Sequence, residues 1–213
     1  MPLPGFLIDQ LSRPSGRLAP LTGLLLNGVN ARTILAGVSA LDLRPGQRVV
    51  EVGFGGGLSL PFLLRAVGER GQVFACETSK EMLAKARRRF IVQRLQGRLQ
   101  IEHAFVESLP LGDGSFDAAL SLNTITFWTD VDEGMRELAR VLAVDGRLVL
   151  GVADPDQVRR AGFAERGFRI VTPERLGDRF SRYGLELLEI RRTGDGTALL
   201  VGRRVDDGAD DGL

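Results

Sequence analysis

The 213-residue chain is poor in reactive side chains, with one cysteine, one histidine, one tryptophan and one tyrosine. A single cysteine, Cys76, excludes an internal disulfide and makes a reducing cytoplasm the default setting. Cys76 follows an apolar run and precedes Glu77, a position where a thiol packs as a small core residue rather than acting as a nucleophile. His103, the lone histidine, reads as a structural residue at a strand end, and one Cys with one His makes no ligand cluster, so no metal is expected. Lysine is nearly absent: Lys80 and Lys85 stand against 26 arginines. The arginines are scattered, and the one run, Arg87-Arg88-Arg89, reads as a solvated helix face, so a nucleic-acid partner is not expected. No apolar run reaches the roughly 18 residues that suggest a membrane span, and Met1-Pro2-Leu3-Pro4-Gly5 sets no cationic region ahead of an apolar one. These absences lead us to expect a soluble, unexported, cytoplasmic protein. Nothing in them fixes an oligomeric state.

Glycine and short apolar runs are what the chain has. From residue 46 onward, strand and helix patterns alternate through short turns, the signature of a mostly parallel α/β sheet covered on both faces. Strands are expected near 48–53, 72–77, 98–104, 116–122 and 145–153, and helices near 58–68, 79–94, 131–143 and 155–164. Asp154-Pro155 and Thr172-Pro173 each supply an N-cap followed by a first-turn proline, the second opening a helix that ends near Tyr183-Gly184. Two last strands, 185–192 and 197–204, are joined by the turn Gly194-Asp195-Gly196. The chain then divides into an N-terminal helical extension (1–45), a single domain (46–205) and an acidic tail (206–213) expected to be disordered. Within the extension, Phe6, Leu7, Ile8 and Leu11, then Leu21, Leu24, Leu25 and Val29, fall at helical spacings, and a further helix is expected from about Ala31 to Leu41 with Asn30 as its cap. That extension either covers a ligand site or simply packs on the sheet. Peripheral membrane contact through it is not favoured, because its polar faces lack a dense cationic rim.

The most informative segment is Val49-Val50-Glu51-Val52-Gly53-Phe54-Gly55-Gly56-Gly57, a buried strand entering a glycine turn ahead of a helix. Such a corner lets a ligand approach the main chain and the free N–H groups of a helix start. The dinucleotide fingerprint G-x-G-x-x-G fails here, since Leu58 occupies its third glycine position.

The pattern Glu51-x-Gly53-x-Gly55-x-Gly57 instead resembles the first motif of the class I S-adenosylmethionine-dependent methyltransferases. Three further segments are similar to that family in the same order: Phe74-Ala75-Cys76-Glu77, the run Leu109-Pro110 to Asp117-Ala118, and Glu137-Leu138-Ala139-Arg140-Val141-Leu142 leading to Gly146-Arg147-Leu148. The resemblance implies a single Rossmann-like, seven-stranded, mostly parallel sheet with an antiparallel last strand, and S-adenosylmethionine as cofactor. Gly53 to Pro61 also resembles the loop of bacterial phospholipid N-methyltransferases, which nominates a small-molecule or lipid-like acceptor.

Site residues follow from the same resemblance. Gly53, Phe54, Gly55 and Gly57 would meet the amino-acid end and ribose of the cofactor, and Glu51 would orient that site. Glu77 would accept hydrogen bonds from both ribose hydroxyls, which a carboxylate at that strand end can do. Thr78 and Met82 would flank the adenosine. Phe105 stands where the family usually carries an aspartate for the adenine amine. Phe105 would then pack on the base, the Val106 N–H would reach a ring nitrogen, and Glu107 is the alternative carboxylate. Asn123 would lie near the cofactor, and Phe127 and Trp128 either line the acceptor pocket or pack the next helix. No catalytic base is assigned. Transfer to an activated methyl needs chiefly alignment of donor and acceptor. The expected function is methyl transfer by in-line displacement, with a non-catalytic cofactor-binding module of the same fold as the alternative.

Overall fold

The computed structural model describes residues 31–166 and 169–206. The two earlier helical patterns, the Asn30 cap and the tail past Asp206 lie outside the described residues.

Seven strands form one sheet: β1 (Arg48–Val52), β2 (Gln72–Glu77), β3 (Leu99–His103), β4 (Phe116–Leu122), β5 (Leu142–Ala153), β6 (Leu185–Arg192) and β7 (Thr197–Arg204). Their order is β3-β2-β1-β4-β5-β7-β6. The first five are parallel, and β7 enters antiparallel between β5 and β6. The helices are α1 (31–40), α2 (Ser59–Val67), α3 (Lys80–Arg89), α4 (Ile91–Leu95), α5 (Val131–Val141), α6 (Pro155–Arg160) and α7 (Pro173–Gly177). The expected α/β architecture is the one observed.

Two apolar layers, one on each face, hold the sheet in place. Val50 and Val52 of β1 join Phe74 and Cys76 of β2 in the layer that also holds Met135 and Leu138 of α5. Val49, Val73 and Ala75 point the other way, into the layer of Leu60, Leu63 and Val67 from α2. The alternation is the pleat itself, and strands buried on both faces read as continuous apolar runs. Glu51 has the parity of Val49, so its carboxylate is directed toward the start of α2.

Element ends differ from the sequence reading by more than two residues in four places, one of them the helix expected over 155–164, which ends at Arg160. The expected helix over 79–94 breaks at Phe90, whose φ of −108° and ψ of 31° leave helical geometry. β5 begins at Leu142 rather than 145, because an irregularity around Asp145 (φ 62°) lets Phe116 pair with Leu142 and Ala118 with Arg147. The helix opened by Pro173 stops at Gly177, and a separate 3-10 turn, Phe180–Tyr183, runs to Gly184 in the left-handed region (φ 65°). Thr172 and Asp154 cap their helices as expected, accepting from the N–H of Arg175 and from those of Asp156 and Gln157.

Candidate functional site

Strand order reverses at β1, where the chain steps outward to β2 on one side and to β4 on the other. In an open α/β sheet, the crevice at the carboxyl end of that switch point is where ligands bind. The glycine turn leaves β1 there. Gly53 donates its N–H to the Cys76 carbonyl at 2.8 Å and has φ 75°, a region that favours glycine. A Cβ at Gly53 would stand 2.4 Å from Cγ2 of Thr124, so backbone geometry and space both require glycine.

Glu77 ends β2 beside this turn. Its Oε2 accepts the Gly55 N–H at 2.9 Å, and its Oε1 accepts the N–H groups of Thr78 at 2.8 Å and Ser79 at 3.1 Å. The carboxylate therefore ties the glycine turn to the β2–α3 turn. Space beside Gly55 is open, with no heavy atom within 4 Å of a Cβ placed there.

Glu51 is almost fully buried and its Oε2 has no hydrogen-bond partner among the described residues. Burial pushes its carboxyl up to about 7, against the pull of a hydrogen bond with Ser59, while the neighbouring Glu77 pushes the same way. An ionised carboxylate in such surroundings is costly without a counter-charge. α2 begins next to it at Ser59, with no side-chain cap from Leu58 and no acid in its first turn. Cys76 is fully buried, and burial followed by the Glu77 charge pushes its thiol up, out of nucleophilic range.

The remaining site candidates divide between this corner and the core. His103 Nε2 lies 3.2 Å from the Thr78 carbonyl, and Phe105 packs edge-on against the His103 ring with centroids 5.7 Å apart. Phe105 is 47% exposed. Phe54, Met82 and Val106 direct their side chains into the core layers. The Met82 N–H is taken by the Ser79 hydroxyl at 3.3 Å. Glu107 is turned away from the alternative role: its Oε1 accepts the N–H groups of Thr129 and Asp130, at 2.7 and 3.2 Å.

Across β1, the end of β4 carries a hydroxyl relay. Trp128 donates its indole N–H to Thr124 Oγ1 at 3.0 Å, Thr124 and Ser121 hydroxyls pair at 2.5 Å, and Ser121 donates to the Val52 carbonyl at 3.0 Å. Trp128 is buried and fills the space that Gly134 of α5 leaves open. Phe127 is half-buried, its ring 6.0 Å from that of Phe163. Asn123 adopts φ 57°, donates its N–H to the Gly151 carbonyl at 2.9 Å and accepts from the Thr197 hydroxyl at 3.4 Å.

Two structural clamps were not legible in the sequence. Arg140 donates to Glu137, to Asp113 and to the carbonyls of Leu109 and Leu111, while Glu137 also accepts the Leu109 N–H. Two of the four sequence motifs thus bind each other, and the Arg140 bond holds the Glu137 carboxyl below its ordinary range. At the β6–β7 turn, Asp195 accepts the N–H of the buried Thr33 at 3.2 Å and its hydroxyl at 2.7 Å. That carboxylate secures the first turn of α1 from 162 residues away.

Among the described residues, no group of three or more His, Cys, Asp or Glu could hold a metal ion. No helix among them is long and apolar enough to cross a membrane.

A family model described as a methyltransferase domain matches residues 50–150. An uncharacterized 37.1 kDa protein of a Streptomyces fradiae transposon is 36% identical over 121 residues, which are 57% of this chain and 34% of that protein. The ubiquinone/menaquinone biosynthesis C-methyltransferase UbiE of Vibrio cholerae is 33% identical over 107 residues, 50% of this chain and 41% of that one. The chain thus spans well under half the length of either relative. The solved geranyl diphosphate C-methyltransferase of Streptomyces coelicolor superposes with a TM-score of 0.70 at 17% identity, covering 96% of this chain and 89% of that one.

Proposed function

We propose that this chain, whose residues 50–150 belong to the class I S-adenosylmethionine-dependent methyltransferase family, binds S-adenosylmethionine and transfers its methyl group to a small-molecule or lipid-like acceptor. The observation that carries this reading is the meeting of Glu77 with the Gly55 N–H at 2.9 Å, beside the unpartnered Oε2 of Glu51, at the switch point of the sheet. The residues present fit the cofactor. Glu51 would offer a buried negative charge to an ammonium group, Gly55 would offer open main chain on a turn shaped by Gly53, and Glu77 would offer a ribose hydroxyl the lone pair left on Oε2, which takes only the Gly55 N–H. Thr78 and Phe105 would border the adenosine, with Phe105 packing on the base. The Val106 N–H would face the base, while Met82 and Phe54 support that wall from the core. Asn123 would border the methionine end, and Phe127 and Trp128 the acceptor side.

When bound, S-adenosylmethionine would supply a methyl on a sulfonium, an activated electrophile for an electron-rich acceptor atom. The chain's part is alignment. The glycine turn and Glu77 fix the donor, the Thr124 relay ties that turn to the Trp128 segment, and the apolar Phe127 and Phe163 pair excludes water from the acceptor side. A lipid-like acceptor is favoured because UbiE, 33% identical over 107 residues, is a methyltransferase of ubiquinone/menaquinone biosynthesis.

Calorimetry with S-adenosylhomocysteine tests the reading. Binding in the micromolar range is expected, and no heat at high micromolar ligand from folded protein removes it. A second reading, a cofactor-binding module without turnover, is favoured by Phe105 in place of a carboxylate and by the engagement of Glu107 elsewhere. Binding without any S-adenosylhomocysteine release in the presence of quinol, isoprenoid or phospholipid acceptors would select it.

A further inference from the structure

α4 buries none of its five residues. Ile91 is 46% exposed, Val92 56% and Leu95 82%. Spacings of three and four set Leu95 on the same helix face as Val92 and Ile91, so three aliphatic side chains form one exposed patch. The stretch around it is the most cationic in the chain: Lys80, Lys85, Arg87, Arg88, Arg89, Arg94 and Arg98 stand against Glu81 alone. Three of these cations are tied to the body. Arg87 donates to the Ile101 carbonyl and pairs with Glu102, Arg94 donates to the Arg87 carbonyl, and Arg98 donates to the carbonyls of Leu64 and Gly68. Arg88 and Arg89 are exposed and, among the described residues, meet no carboxylate; Arg89 lies over the Phe90 ring at 5.1 Å.

We propose that the Ile91, Val92 and Leu95 face, rimmed by Arg88 and Arg89, docks the protein on an anionic phospholipid bilayer. Cations at the C-terminus of α3 complement its dipole, which accounts for the arginines but not for aliphatic side chains left in water. Aliphatic groups entering the acyl boundary while guanidinium groups meet lipid phosphates account for both. A nucleic acid fits the charge but not the patch, which offers no exposed ring for base stacking. A symmetric contact with a second copy would set the two arginine rims against each other. The proposal stands independently of methyl transfer.

Co-sedimentation of the full chain with vesicles tests it, using phosphatidylcholine alone and phosphatidylcholine with phosphatidylglycerol in equal parts. Binding to the anionic vesicles only is expected. Val92→Ser with Leu95→Ser, and separately Arg88→Gln with Arg89→Gln, should each lower partitioning by about tenfold or more. All four side chains are exposed, so circular dichroism and urea unfolding should stay as in the parent chain. Absence of binding to anionic vesicles overturns the proposal, as does partitioning unchanged in both double variants. It is equally overturned if the parent chain ignores vesicles and the serine variant abolishes a concentration-dependent dimer or binding to an acidic peptide.

Discussion

Gly53 and Thr124 are locked together: the methyl of Thr124 occupies the space where a Cβ on Gly53 would stand, 2.4 Å away, and its hydroxyl holds the indole of Trp128. The turn proposed to hold the cofactor is thereby fastened to the segment proposed to face the acceptor. Thr124→Val keeps the shape but leaves the Trp128 N–H and the Ser121 hydroxyl short of a partner. A loss of about 1–3 kcal/mol in urea unfolding is expected, with Thr124→Ser within about 1 kcal/mol of the parent chain. Gly53→Ala should cost about 1–3 kcal/mol through its positive φ alone, and more through the clash. Trp128, the sole tryptophan, reports both by fluorescence.

Glu77 has two roles that separate experimentally. Glu77→Ala removes the acceptor of the Gly55, Thr78 and Ser79 N–H groups, so stability should fall by about 1.5–3 kcal/mol. Affinity for S-adenosylhomocysteine should fall by a similar amount in calorimetry on protein that is still folded. Unchanged affinity would remove Glu77 from the ribose site.

Phe105→Asp restores a carboxylate at the adenine end. Equal or tighter binding of S-adenosylhomocysteine is expected from calorimetry, and a large loss would identify the aromatic ring as the working contact.

Glu51 should give stability a pH dependence of unusual sign. Its folded-state value, about 7, lies above its ordinary 4.5, so the folded protein holds this proton more tightly than the unfolded chain. The associated stability is complete below about 4.5 and is lost as pH rises to about 7, by about 3 kcal/mol. Glu137 and Asp195 are shifted downward, so their contributions disappear only at lower pH, as it falls through their folded-state values. Urea unfolding at pH 5 and pH 8 should show the loss, and Glu51→Gln should abolish it. The same variant should weaken cofactor binding at pH 8.

Asp195→Ala should detach α1 from the β6–β7 turn. The buried Thr33 would lose acceptors for its N–H and hydroxyl, costing about 2–4 kcal/mol in urea unfolding. Hydrogen exchange should rise selectively across residues 33–40, because the perturbation begins at one helix start.

Sequence reading placed the glycine turn, both acidic strand ends and the alternation of strands with helices, because each is written locally: strand apolarity, glycine at positive φ, an acid before a turn. It could not say that Met82, Phe54 and Val106 would turn into the core. Main-chain proximity to a site and side-chain direction are set separately, the second by pleat parity and by packing against distant residues. Glu107 shows the same limit, since its use by Thr129 and Asp130 depends on how the β4–α5 segment folds back.

The amino-acid sequence alone determined the alternating α/β architecture and the corner at Gly53, since period, turn chemistry and capping act over a few residues. Only the tertiary structure decided that Arg140 clasps the Leu109–Asp113 segment, that Asp195 secures Thr33, and that Ile91, Val92 and Leu95 stay uncovered among the described residues. Those outcomes depend on which surfaces the folded sheet brings together, and hydrogen bonds spanning about 30 and 162 residues leave no local pattern to read.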